Sequence, residues 1–214
     1  MGIALWLCPK PSSQIHDTIT SLSLGLHPLF DSPQFEPHIT ITSQLAVNSH
    51  ADVRTVLEST IAALGDSLEL DINISGLYLN HKNGYFKKVY LSVEKTKNLV
   101  SLATVIRELY VELPSRKDPQ EARDAAETWA KEVFDPHVSL VYTSLAHFDT
   151  ALVKTVKTRV EDYLNVMNIE VNQEGELQGY GYGWKGGVLK IVNCEGPVGE
   201  WEVLGSVDIH SSWK

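Results

Sequence analysis

The chain has 214 residues, 43 % hydrophobic and 21 % charged. It is long enough to bury roughly 70 % of its unfolded surface, and its composition is that of a soluble globular protein. Its net charge of -9 and sequence pI of about 5.3 exclude the broad basic stripe with which binders of duplex or long single strands displace counterions. A small ligand carrying one or two phosphates remains compatible.

Taken in chain order, the apolar start Ile3 to Cys8 reads as a buried strand. It stops at Pro9 with no basic segment before it, so it is too short for a signal peptide. Residues 12–26 place Ile15, Ile19, Leu22 and Leu26 on one helical face. Residues 37–43 read as a strand, and 50–64 carry Val53, Val56, Leu57, Ile61 and Leu64 at helical spacing. Strands near 68–79 and 85–94 flank Asn83-Gly84, a tight-turn signal. A helix over 96–111 ends at Pro114, and Asp118-Pro119 opens a short polar one, a capping residue with proline at the first helical position. A strand at 136–143, a helix at 149–164 and a weak strand around 169–177 follow. The glycine- and aromatic-rich stretch Gly179 to Gly187 reads as a loop, leading to strands at 188–193 and 201–209. No run approaches the roughly 18 apolar residues of a membrane span.

Strand, helix, strand, helix, strand occurs twice, from about 3 to 79 and from about 89 to 209. This predicts a single domain made of two similar α+β lobes. The expected fold is a bilobal duplicated one, with two antiparallel-rich sheets flanked by helices around a central groove of pseudo-twofold symmetry.

The chemistry sits in two matching heptads. Phe35-Glu36-Pro37-His38-Ile39-Thr40-Ile41 aligns with Phe134-Asp135-Pro136-His137-Val138-Ser139-Leu140. A His-x-Ser/Thr triplet alone is weak, since His16-Asp17-Thr18 and His210-Ser211-Ser212 also fit. Those two fall on a helix and in the tail, where i and i+2 side chains do not share a face. On a strand they do, so His38 with Thr40, and His137 with Ser139, point one way while the aliphatic residues face a core. Two imidazoles can act as a neutral base and a protonated acid near neutrality. Two hydroxyls can donate to phosphate oxygens where charge develops. The expected ligand is therefore a small phosphate ester, with one histidine serving attack on phosphorus and the other serving the leaving oxygen.

These residues resemble the two-histidine (2H) phosphoesterase superfamily, and within it the fungal 2',3'-cyclic-nucleotide 3'-phosphodiesterases. Ala4 to Pro9, Phe35 to Thr42, Tyr85 to Leu91, Asp135 to Tyr142 and Trp201 to Val203 carry the similarity, which spans nearly the whole chain. The resemblance implies metal-independent hydrolysis of 2',3'-cyclic nucleotides to 2'-phosphates. It also implies opening of ADP-ribose 1'',2''-cyclic phosphate, a by-product of tRNA splicing, to ADP-ribose 1''-phosphate. It implies His137 as base and His38 as acid, Thr40 and Ser139 on the phosphate, Tyr142 as a ligand contact, and no cofactor or metal. Two other readings stay open: an RNA-end-processing relative (a 2'-5' ligase or oligonucleotide phosphodiesterase), and a non-catalytic nucleotide-binding module.

Several signals are secondary. Trp6, Tyr85 and Phe86 can line the groove and stack on a base, although packing alone accounts for such rings. Lys87 and Lys88 can draw in an anion, yet paired lysines on a strand edge usually only solvate it. Gly181-Tyr182-Gly183-Trp184-Lys185-Gly186 fits G-x-G-x-x-G but leads into a strand where a nucleotide cradle opens a helix, so a hairpin loop is expected. Cys8 and Cys194 lack metal-ligand spacing and read as half-buried thiols, able to pair if the first and penultimate strands are neighbours. No His-x-His, Glu-x-x-His or cysteine pair suggests a metal site. A monomer in the cytoplasm is expected, with peripheral endomembrane (Golgi) association left open by the sequence.

Overall fold

The computed structural model describes residues 2–65, 70–164 and 182–209. The weak strand expected at 169–177 lies outside these residues.

Capping chemistry sets most helix starts. Ser13 accepts from the His16 N–H at 3.3 Å to open α1, Gln14–Phe30. Ser49 opens α2, His50–Leu64, and Thr96 opens α3, Lys97–Arg107. Asp118 accepts from the Gln120 N–H at 2.9 Å, with Pro119 first in α5, Pro119–Glu132. Helix α6 spans Thr150–Leu164.

Two proline effects shift the expected boundaries. Pro28 sits inside the last turn of α1, which runs past the predicted end at 26. Proline there removes one helical N–H bond, and burial of Phe30, in edge contact with Phe148 at 5.4 Å, accompanies the extra turn. After α3 the backbone widens into a π-helical turn, Glu108–Glu112, then one short helical turn, α4, Leu113–Ser115. Pro114 has no N–H for the Tyr110 carbonyl four residues back. That carbonyl instead accepts from Ala46 N–H at 2.8 Å, tying the segment to the chain after β2 (Ile39–Ser43).

The remaining strands are β1, Ile3–Cys8; β3, Asp71–Leu79; β4, Val89–Val93; β5, His137–Val141; β6, Gly183–Lys185; β7, Val188–Asn193; and β8, Glu202–Asp208. All the pairings are antiparallel, in the order β6-β3-β4-β5-β2-β1-β7-β8. The α+β architecture has two four-stranded halves, joined edge to edge by one residue pair, Ile39 opposite Val138. Each half draws strands from distant parts of the chain, since β7 and β8 return to β1 while β6 returns to β3.

Period-two alternation divides the sheet faces. Leu5, Leu7, Ile39, Ile41, Leu91, Val138 and Leu140 belong to the main core, together with Ile19, Leu22 and Leu26 of α1 and Val53 and Val56 of α2. A smaller cluster of Ala4, Trp6, Cys8, Val192 and Cys194, with Trp201 against it, occupies the other face. No helix among the described residues is long and apolar enough to cross a membrane.

Two expectations are corrected. The stretch expected as a loop before Val188 contains β6, which pairs Ile72 with Trp184. Gly183 is required there because a Cβ would fall 1.7 Å from the Ile72 carbonyl oxygen. Gly187, at φ +124, would bring a Cβ to 2.4 Å from the Cys8 oxygen. These two glycines serve close strand packing. The cysteines do not meet, although β7 does neighbour β1. Cys8 lies opposite Val188, and Cys194 follows Asn193, which lies opposite Ile3. At strand rise the two are roughly 20 Å apart, whereas a disulfide needs Cα atoms within about 7 Å. Both are buried free thiols.

Candidate active site

The Ile39–Val138 pair sets the geometry of the site. Both side chains are fully buried in the core, so their neighbours turn to the opposite face. Continuing the antiparallel register puts His38 opposite Ser139 and Thr40 opposite His137. The four groups thus occupy the corners of a near-rectangle of about 5 Å by 7 Å. The sequence placed the two motif strands on facing walls of two lobes; they are adjacent strands at the joint of one sheet.

Both histidines are held alike. His38 Nδ1 lies 2.6 Å from the Glu36 carbonyl oxygen and His137 Nδ1 lies 2.7 Å from that of Asp135. A carbonyl only accepts, so each Nδ1 carries the proton and donates it. This fixes the tautomer and leaves each Nε2 to take or give a proton. The acidic residues of the twin heptads have a further use. Glu36 is held by Lys190 of β7, with Nζ 2.6 and 2.7 Å from its two oxygens. Asp135 is paired with Lys87. Each histidine therefore hangs from a backbone carbonyl whose own residue is anchored by a lysine.

The surroundings differ. His38 is 6 % exposed and lies flat on Trp6, with centroids 3.6 Å apart and an interplanar angle of 8°. Trp6 faces Thr40 across β1 and β2. At the equivalent place Tyr90 faces Ser139 across β4 and β5, but it meets the partly buried His137 edge-on at 5.1 Å. Desolvation lowers the His38 pKa to about 4, against the Glu36 carbonyl bond that raises it, with His137 and Lys190 lowering it further. Desolvation also lowers that of His137, opposed by the bond to the Asp135 carbonyl. Both rings are therefore neutral acceptors at pH 7 in the free protein.

His38, Thr40, His137, Ser139, Tyr142, Trp6 and Phe86 line one cavity of about 210 Å³. Tyr85 lines an adjoining hollow instead. Ser139 Oγ donates to the Phe86 carbonyl at 2.8 Å, fastening the chain before β4 to the site. Tyr142 is buried, stacked on Phe35 at 3.8 Å, and burial pushes its phenol pKa up. Lys87, Cys194 and Trp201 are among the further lining residues. Of the two lysines that the sequence offered either to an anion or to solvent, Lys87 brings its cation to the cavity. Trp201 was visible as part of a similar segment, but nothing local tied it to the motifs. Lys88 is buried, donating to the Leu145 carbonyl at 2.7 Å, and does not line the cavity. A larger apolar hollow of about 610 Å³ lies between α2 and β8 and contains neither motif.

A small chamber with two tautomer-fixed imidazoles, two hydroxyls and a lysine is suited to acid–base chemistry on a phosphate ester. The chain belongs to the cyclic phosphodiesterase-like protein family, whose model matches residues 1–209. It is 38 % identical to a 2',3'-cyclic-nucleotide 3'-phosphodiesterase of Yarrowia lipolytica, across 97 % of this chain and 100 % of the relative. It is 36 % identical to one of Saccharomyces cerevisiae, across 98 % of this chain and 100 % of the relative. One of Eremothecium gossypii is 38 % identical, with the same coverage of 98 % and 100 %.

Proposed function

We propose that this chain hydrolyses nucleoside 2',3'-cyclic phosphates to 2'-phosphates, and that ADP-ribose 1'',2''-cyclic phosphate is a second substrate, opened to the 1''-phosphate. The observation that carries the reading is the pair of imidazoles, each pinned at Nδ1 by the carbonyl two residues before it, around one cavity with Thr40 and Ser139. Family membership and the names of the relatives support it.

In the proposed reaction a water oxygen attacks phosphorus in line with O3'. Its proton passes to Nε2 of one neutral histidine as the P–O3' bond breaks, and the other histidine, protonated, gives its Nε2 proton to O3'. Thr40 donates to a non-bridging oxygen, Ser139 does the same by turning its hydroxyl from the Phe86 carbonyl, and Lys87 offsets their charge. Family resemblance assigns His137 as base and His38 as acid. For that role His38 must return from about 4 to its ordinary 6.5, which takes about 3.4 kcal/mol. A phosphate anion about 4 Å away supplies roughly 4 kcal/mol at an effective dielectric of 20. Substrate binding itself thus loads the acid.

The test is hydrolysis of 2',3'-cyclic AMP in EDTA, with the product resolved by chromatography. The expected product is 2'-AMP, lost in His38→Ala and His137→Ala. Release of 3'-AMP, or undiminished activity in either variant, would sink the reading.

A further inference from the structure

The cavity of about 210 Å³ is small for a nucleotide, because pockets that enclose a whole small ligand run from roughly 300 Å³ upward. It suits a cyclic phosphate and its ribose, and leaves the base to lie elsewhere. Two of the nearby rings are already engaged in stacks. Trp6 carries His38 on its face, and Tyr142 is stacked on Phe35 and only 3 % exposed.

A second hollow, of about 470 Å³, adjoins the cavity. Phe86 belongs to both walls. Trp201 of the cavity donates its indole N–H to the carbonyl of Gly196, in the hollow's wall, at 3.3 Å. Tyr85 and Phe86 stand edge to face at 4.9 Å there, 38 % and 37 % exposed, with Pro197 among the other lining residues. Exposed aromatic rings beside a polar cleft are what a base stacks on. Asp31 also lines the hollow; it is the C-cap of α1, held at φ 50 with its N–H on the His27 carbonyl. Its neighbour Ser32 is committed, its Oγ accepting from the Tyr142 N–H at 3.0 Å.

From this arrangement we infer that the hollow is a nucleobase subsite, with Tyr85 stacking the base and the Asp31 carboxylate accepting from an exocyclic amino group. The inference rests on the function proposed above and adds a preference to it. Stacking tolerates every base. The carboxylate, which can only accept, discriminates: adenine, cytosine and guanine offer amino donors, whereas uracil offers carbonyls at its exocyclic positions.

Calorimetric binding of 2'-AMP, 2'-UMP and the base-free ribose 2-phosphate to the full chain tests this. Tyr85→Ala should lower the affinity ratio of 2'-AMP to ribose 2-phosphate on the order of tenfold, and Tyr85→Phe, which keeps the ring, should restore it. Asp31→Asn should lower the ratio of 2'-AMP to 2'-UMP severalfold. A ratio unmoved by Tyr85→Ala, or a Phe variant as weak as the Ala variant, overturns the subsite. Turnover of 2',3'-cyclic AMP measured alongside separates the two conclusions. The expected ratios without hydrolysis would keep the subsite and remove the reaction; hydrolysis with unmoved ratios would do the reverse.

Discussion

The two histidine strands share their mechanics and differ in their surroundings. Each imidazole donates Nδ1–H to the carbonyl two residues before it, and each of those residues is anchored by a lysine. Yet His38 is buried flat against Trp6, while His137 is only partly buried, at the edge of Tyr90. The two heptads share what fixes the tautomer and differ in the packing around each ring.

The largest expected effect breaks both halves alike. His38→Ala and His137→Ala should each lower kcat/KM by 10²- to 10⁴-fold or thereabouts. Because both protons move in one displacement, the double variant should be far less than additive. Independent losses would mean the rings do not share a phosphorus.

Titration separates the halves. His38 should titrate near 4 in the free protein by NMR, and bound 2'-AMP should raise it by about 2 or more, the shift a nearby phosphate supplies. The linkage has a definite sign. A histidine depressed in the fold binds its proton more readily when unfolded, so stability falls as pH drops from 6.5 toward 4. His38 accounts for about 3 kcal/mol of that fall, and urea melts of His38→Asn at pH 7 and pH 4.5 should show a smaller difference than wild type. An equal slope removes the burial argument.

Trp6→Phe should lower kcat up to about tenfold and bring the pKa of the acid in the kcat profile down by as much as 1, as expected from a weakened cation–π face. The mirror variant Tyr90→Phe, which retains its edge contact, should move neither. Smaller still, Lys190→Met should cost more stability than Lys87→Met. The Lys190–Glu36 side chains are 15 % and 27 % exposed, against 29 % and 50 % for Lys87–Asp135, and exposed pairs are worth about 0–1 kcal/mol. Equal thermal shifts would contradict the difference in burial. The slightest effect is chemical: mild oxidation should leave Cys8 and Cys194 unlinked by mass, given their places at opposite ends of β1 and β7.

Much of the proposed catalytic set was legible in the chain. Alternation alone put His38 and Thr40 on one face and Ile39 and Ile41 on the other, and the second heptad repeated it. The capping pair Asp118-Pro119 marked the start of α5. These are local signals, set by backbone geometry within a few residues. Other features required partners from far along the chain. Lys190 reaches Glu36 from 154 residues away, and Trp201 and Cys194 reach the cavity from the opposite end of the sequence. The joining of the two halves into one sheet, the added strand β6 and the separation of the cysteines depend on strand order. Strand order follows from which hydrophobic faces find one another across loops, and periodicity within a segment carries no record of that. Residue pattern thus determined which side chains share one face of each motif strand, and tertiary packing decided that they meet around one cavity and how deeply each is buried, and with that the protonation state in which each histidine starts.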